Sequence, residues 1–92
     1  MIRTFRCRDT QALYEGRRVR RFAGFVTQAE RRLERLDAAT CLADLAGLQS
    51  NRLEVLKGDR KGQHSIRINL QWRICFEWRD DGPYNVEIVD YH

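Results

Sequence analysis

The apolar positions of this chain change period once, and the change divides it into two structural regimes. Between residues 25 and 37, FVTQAERRLERLD, the residues Phe25, Ala29, Leu33 and Leu36 recur at helical spacing. Gln28, Arg31, Arg32 and Arg35 lie off that stripe. After Ala38 and Ala39, Thr40 is placed to cap a second short helix with Leu42, Leu45 and Leu48 on its apolar face. Beyond about residue 52 the period falls to two. LEVL (53–56) reads as a strand, GDRKGQ as a turn, and HSIRIN (64–69), WRICFEW (72–78) and YNVEIVDY (84–91) as alternating strands, with DDGP turning between the last two. Upstream, IRTFR (2–6) reads as a short strand, and DTQALYEG as a short helix capped by Asp9 or Thr10 and stopped at Gly16. The basic run RRVRRF (17–22) fits either loop or helix.

Helices followed by a meander predict an α+β fold. The N-terminal helices cover one face of a small antiparallel sheet, and the other face stays open. Burial then sets the register. Trp72, Ile74, Phe76 and Trp78 share a face, as do Tyr84, Val86 and Ile88, and a one-residue slip would expose the whole set. The expected pairs are Trp78 with Tyr84, Phe76 with Val86, Ile74 with Ile88 and Arg73 with Val89. Tyr91 becomes a diagonal neighbour of Arg73, within roughly 7 Å. In the preceding hairpin Ile68 pairs with Trp72, Ile66 with Ile74 and Arg67 with Arg73.

That register sets two guanidinium groups opposite each other on the open face. Like charges so placed repel. A phosphate between them offsets the repulsion, because guanidinium forks match its oxygens; otherwise both side chains splay into water. The turn LKGDRKG adds Lys57, Arg60 and Lys61 beside the same sheet, without the spacing of a P-loop or dinucleotide fingerprint. Asp90, Tyr91 and His92 arrive at its rim. Histidine trades protons near neutral pH, tyrosine beside cations can do so, and Asp90 can orient the imidazole. By strand parity Asp90 and His92 point away from Tyr91, so convergence requires the strand end to curl. His64 shares the helix-facing side with Ile66 and Ile68 and reads as a packing histidine. Asp59, Asp80 and Asp81 read as turn residues.

With 92 residues, one proline and no Ser/Gly-rich stretch, the chain is expected to form one domain over residues 1–92, without linker or repeat. No apolar run is long enough to span a bilayer, and MIRTFRCRD lacks the apolar core of a signal peptide, so a cytoplasmic location is expected. Cys7, Cys41 and Cys75 are odd in number and widely spaced, which argues against a zinc cluster or disulfide framework. Cys41 and Cys75 are expected to pack. A net charge of +4 suits a partner rich in phosphates or carboxylates.

The ordered set LEVLKGDRKGQHSIRINLQWRICFEW…VEIVDYH resembles the HigB/GraT toxins, the plasmid maintenance killer proteins of the RelE/ParE superfamily. The opening MIRTF, the helix end LERLDAAT and the length extend the likeness over nearly the whole chain. The resemblance implies a microbial-RNase-like α+β fold and a bacterial type II toxin that cleaves messenger RNA on translating ribosomes. It also implies a HigA/GraA-like helix-turn-helix antitoxin, which neutralises the toxin and represses the shared operon, so that operator DNA is met only through the complex. No metal or cofactor is implied. On the family's motif, Lys57, Arg73, Asp90, Tyr91 and His92 fall on active-site positions; Arg60, Lys61 and Arg67 are added from charge and geometry. Where relatives carry His in LHPLKGD, this chain has Glu54 in LEVLKGD.

The implied chemistry uses the substrate's 2′-hydroxyl as nucleophile. A base removes its proton, cations stabilise the phosphorane, and an acid protonates the leaving 5′-oxygen. Arg73 and Lys57 would stabilise the phosphate charge with help from Arg67. Glu54 either replaces that His as the base or marks a weaker or differently tuned nuclease, and His92 would be the acid, with Asp90 orienting it or balancing charge. Tyr91 would stack on a base or share in proton transfer. Two other readings remain: a ParE-like gyrase-inhibiting toxin, and a non-catalytic RNA- or ribosome-binding module. Residues 14–24, basic and short of apolar positions, read either as mobile or as folding against the antitoxin.

Overall fold

A computed structural model describes residues 1–90. The predicted helix of the apolar stripe forms as α2 (Val26–Ala38), and Ala29, Leu33 and Leu36 are all buried. It ends where Ala39 turns extended at ψ 136°. It follows α1 (Arg8–Tyr14) and precedes the short α3 (Leu42–Ala46). Four strands, β1 (Glu54–Val55), β2 (His64–Arg67), β3 (Trp72–Arg79) and β4 (Gly82–Asp90), make an antiparallel meander in the order β1-β2-β3-β4. Ile66, Ile74, Phe76, Val86 and Ile88 meet the helices in one continuous core. This is the expected α+β architecture.

The N-terminal run lies beside β4 without becoming a full strand. Phe5 bridges Val86 in parallel, and the Arg6 amide donates to the Val86 carbonyl at 3.0 Å. Thr10 does not cap α1. It is fully buried, and its hydroxyl accepts the Ile88 amide at 2.9 Å, which docks α1 on the edge of β4. An edge strand left bare would template pairing with other chains; here its donors are used internally.

Thr40 acts differently from the cap anticipated for it. Its amide and hydroxyl both donate to Asp44 Oδ2, at 2.8 and 2.9 Å, while Cys41 occupies the N-cap position. Those two bonds hold the Asp44 carboxyl below its ordinary pKa. A depressed carboxylate stabilises the folded state above the unfolded pKa and loses that contribution as pH falls through the folded value. The Asp44 carboxyl should therefore titrate below the usual aspartate range by NMR, with the Thr40 amide shift following the same midpoint. In Thr40→Ala both should move back towards the ordinary value.

Two expectations about the sheet need correction. Arg73 faces Val89 and Ile74 faces Ile88 as expected, but past Cys75 the pairing shifts, so that Glu77 faces Tyr84 and Trp78 faces Pro83. The cause is an extra residue in β4. Asn85 sits in the left-handed region at φ 54°, which asparagine tolerates better than most residues. Its side-chain amide donates to Glu77 and its backbone amide to the Thr4 hydroxyl at 2.8 Å. Secondly, the face away from the helices is not open throughout. Ser65, Arg73 and Cys75 on that face are buried, and so are Asn51, Leu56 and Gln63 of the segment before β2. Arg60 pins that segment by pairing with Glu87 at 3.2 Å.

Residues 14–24 are built into the fold. Val19 and Phe22 are buried, and residues 20–25 form a 3-10 helix. His64 stacks on Phe76 as a packing histidine should, and its Nδ1 has no hydrogen-bond partner among the described residues. Cys75 packs as expected, with its thiol pushed up by burial, but Cys41 is exposed. No helix among the described residues is long and apolar enough to cross a membrane.

Candidate active site

Arg73 is where sequence reasoning and structure differ most usefully. Alternation along β3 turns it away from the core, and Arg67 pairs with it across β2 as expected. Yet Arg73 is only 6% exposed. Its Nε donates to the Ser65 hydroxyl at 2.7 Å, and its Nη2 to the carbonyls of Arg52 and Ser65. Nη1 lies 3.9 Å from Glu54 Oε1. Arg67 turns aside, its Nε donating to the Asn69 carbonyl at 3.2 Å. The two guanidinium groups thus engage separate oxygen acceptors of the protein, and that of Arg73 is drawn out of the solvent.

Arg52 supplies one of those acceptors from a strained backbone, at φ 47° and ψ 53°. A non-glycine residue held there costs on the order of 1–3 kcal/mol, and such strain concentrates at functional positions. Ser65 and Arg52 were not among the residues singled out from the sequence. Ser65 was accessible to such reasoning, since it shares a strand face with Arg67 and lies diagonal to Arg73. Arg52 left no signal, because only tertiary folding carries its carbonyl to β3.

These groups open into a cleft of about 310 Å³ lined by Arg52, Glu54, Arg67, Asn69, Leu70 and Arg73. The turn at its rim is fixed by Asn69, whose Oδ1 accepts the amides of Gln71 and Trp72, both at 2.8 Å. Leu70 is left 88% exposed at the tip. Asp90 ends β4 opposite Trp72, and its carboxylate accepts the Gln71 side-chain amide at 3.0 Å. β4 therefore ends beside the turn that carries Asn69 and Leu70. Tyr91 and His92 lie outside the described residues.

Of the predicted site residues, Glu54, Arg67 and Arg73 line the cleft together, while Asp90 does not line it and pairs with Trp72, the strand neighbour of Arg73. Lys57 and Lys61 are exposed on the neighbouring turn and do not line it. Arg60 is engaged with Glu87 and Gln63. Among the described residues no cluster of three His, Cys, Asp or Glu side chains could hold a metal ion.

An anchored guanidinium, flanking cations and a carboxylate in one small cleft match a phosphodiester in shape and charge. The family model for the HigB-like toxin, the RelE-like toxin of the type II toxin–antitoxin system HigB, matches residues 5–92. The chain belongs to this family of RelE-like toxins. It is 34% identical over 93 residues to the Endoribonuclease HigB of Proteus vulgaris, an alignment covering 100% of both chains. It is also 50% identical over 55 residues to the Toxin HigB-1 of Vibrio cholerae, covering 60% of this chain and 58% of that relative.

Proposed function

We propose that this toxin is an endoribonuclease that cuts messenger RNA on the ribosome, driven by the substrate's own 2′-hydroxyl. The observation that carries the reading is the Arg73 guanidinium, anchored on two sides and facing a carboxylate across a cationic cleft. The name of the Proteus vulgaris relative, an endoribonuclease, supports it along the full chain length. In this reading Glu54 takes the 2′-hydroxyl proton. Arg73, aided by Arg67 and Lys57, stabilises the phosphorane. His92, oriented by Asp90, protonates the departing 5′-oxygen, and Tyr91 stacks on a base or shares in proton transfer. The products are a 2′,3′-cyclic phosphate and a 5′-hydroxyl. Arg60 and Lys61 contribute positive potential beside the cleft rather than contacts within it. The partner is a HigA/GraA-like helix-turn-helix antitoxin, through which operator DNA is engaged, and the site of action is the cytoplasm.

General acid–base groups each contribute about 10²–10⁴ in rate. Deleting His92, and separately Glu54→Gln, should each slow cleavage of ribosome-bound messenger RNA by that order, with RNA ends mapped after timed incubation. Glu54→His should retain cleavage, because imidazole can serve as the same base. Full-rate cleavage by the truncated chain would remove His92 from the mechanism. Inhibition of gyrase without RNA cleavage would replace the nuclease reading with a ParE-like one.

A further inference from the structure

We propose that Ser65 is a positioning residue of this site, a buried hydroxyl that fixes the plane of the Arg73 guanidinium and with it the approach of Nη1 to Glu54. The role deepens the nuclease reading and rests on it.

Ser65 lies in β2 between the two groups that the chemistry brings together. It faces Glu54 across β1, and on its other side it faces Cys75, two residues along β3 from Arg73. It is fully buried. Arg73 Nε donates to its hydroxyl at 2.7 Å, and Arg73 Nη2 donates to its carbonyl at 3.3 Å. Nε and Nη2 are the two donors along one edge of the planar guanidinium, so that edge forks onto a single residue. A lysine has no such edge and could not be held in this way.

A second acceptor, the Arg52 carbonyl, takes Nη2 from another direction. Its own place is set by Asn51, also fully buried. The Asn51 side-chain amide donates to the Leu45 carbonyl at 3.1 Å, and its Oδ1 accepts Arg35 Nη1 at 3.2 Å, which ties the turn before β1 to α3 and α2. A plane held in this way cannot turn without breaking one of the bonds. Nη1 then lies 3.9 Å from Glu54 Oε1, a gap wider than a hydrogen bond, so the carboxylate is attracted to the cation without being locked to it. Without the Ser65 hydroxyl, Nε loses its acceptor and the fork shrinks to Nη2 alone.

Kinetics on ribosome-bound messenger RNA and NMR of the arginine side chains test the role. Ser65→Ala should lower kcat by up to about 10²-fold, as misplacing a reacting group by an ångström does, with KM little changed. In an Arg73→Ala background the same substitution should lower kcat no further, because the group it positions is gone. A merely structural serine would give the same loss in both backgrounds, and that result overturns the proposal. So does a folded Ser65→Ala protein with the wild-type kcat, the folded fraction being read by thermal denaturation. The Arg73 Nε–H resonance of the wild type needs neither a stable variant nor cleavage. It should exchange with water more slowly than those of the exposed Arg18 and Arg31, and exchange as fast as theirs overturns the fork. A wild type with a protected Nε–H that never cuts RNA fails the nuclease reading and keeps the hold of Ser65 on Arg73. Cleavage without that protection fails the hold and keeps the nuclease.

Discussion

Arg73→Ala lowers the rate of messenger RNA cleavage by a factor of about 10²–10³, the usual worth of a contact that stabilises charge only in the transition state. The same substitution destabilises the fold. It strips donors from the buried Ser65 hydroxyl and from the carbonyls of Ser65 and Arg52, and leaving buried acceptors unpaired costs about 1–3 kcal/mol. That penalty applies to each acceptor, and small domains are stable by only about 5–15 kcal/mol, so the two effects are separated by measuring the folded fraction beside the rate. Thermal denaturation beside a ribosome cleavage assay checks both halves. A folded Arg73→Ala protein cutting within tenfold of wild type removes Arg73 from the chemistry.

Phe22→Ala has the largest expected effect on stability, about 3–5 kcal/mol, as for other fully buried phenylalanines. Its ring is 0% exposed, packs edge-on to Trp72 at 5.8 Å between centroids, meets Phe25 at 5.7 Å, and lies under the Arg21 guanidinium at 4.7 Å. Trp72 opens β3 next to Arg73 and pairs with Asp90, so the cavity would loosen the end of the sheet on which the cleft is built. Urea unfolding should show a lower midpoint at unchanged m value. A loss under about 1 kcal/mol would mean that residues 20–25 are peripheral to the core.

What could be read in the chain follows from where its information is local. Two-residue alternation located β2, β3 and β4 and the pairing of Arg67 with Arg73, because a buried face punishes any slip. The helical stripe located α2 for the same reason. Phe22 does not stand out as a core residue because a six-residue 3-10 helix is too short to show a period. The shift beyond Cys75 escaped because a bulge depends on the partner strand, although Asn85 is a residue that tolerates left-handed backbone. Arg73 was correctly placed on its face and wrongly expected to meet solvent. Its cover comes from a segment some twenty positions earlier, whose path no local pattern encodes. That segment changes the meaning of the arginine, from a cation awaiting an anion to one fixed in aim by backbone oxygens.

The bulge at Asn85 also divides the last hairpin into two parts. On one side of it lie Trp78, Pro83 and the turn through Asp80 and Asp81; on the other lie the Arg73–Val89 and Trp72–Asp90 pairs. The tip is tied to the N-terminal run, where the Arg3 side chain donates to the Asp81 carbonyl and the Arg3 amide to the Pro83 carbonyl, both at 2.9 Å. The bulge thus separates the end of the sheet that anchors the start of the chain from the end that carries the cleft.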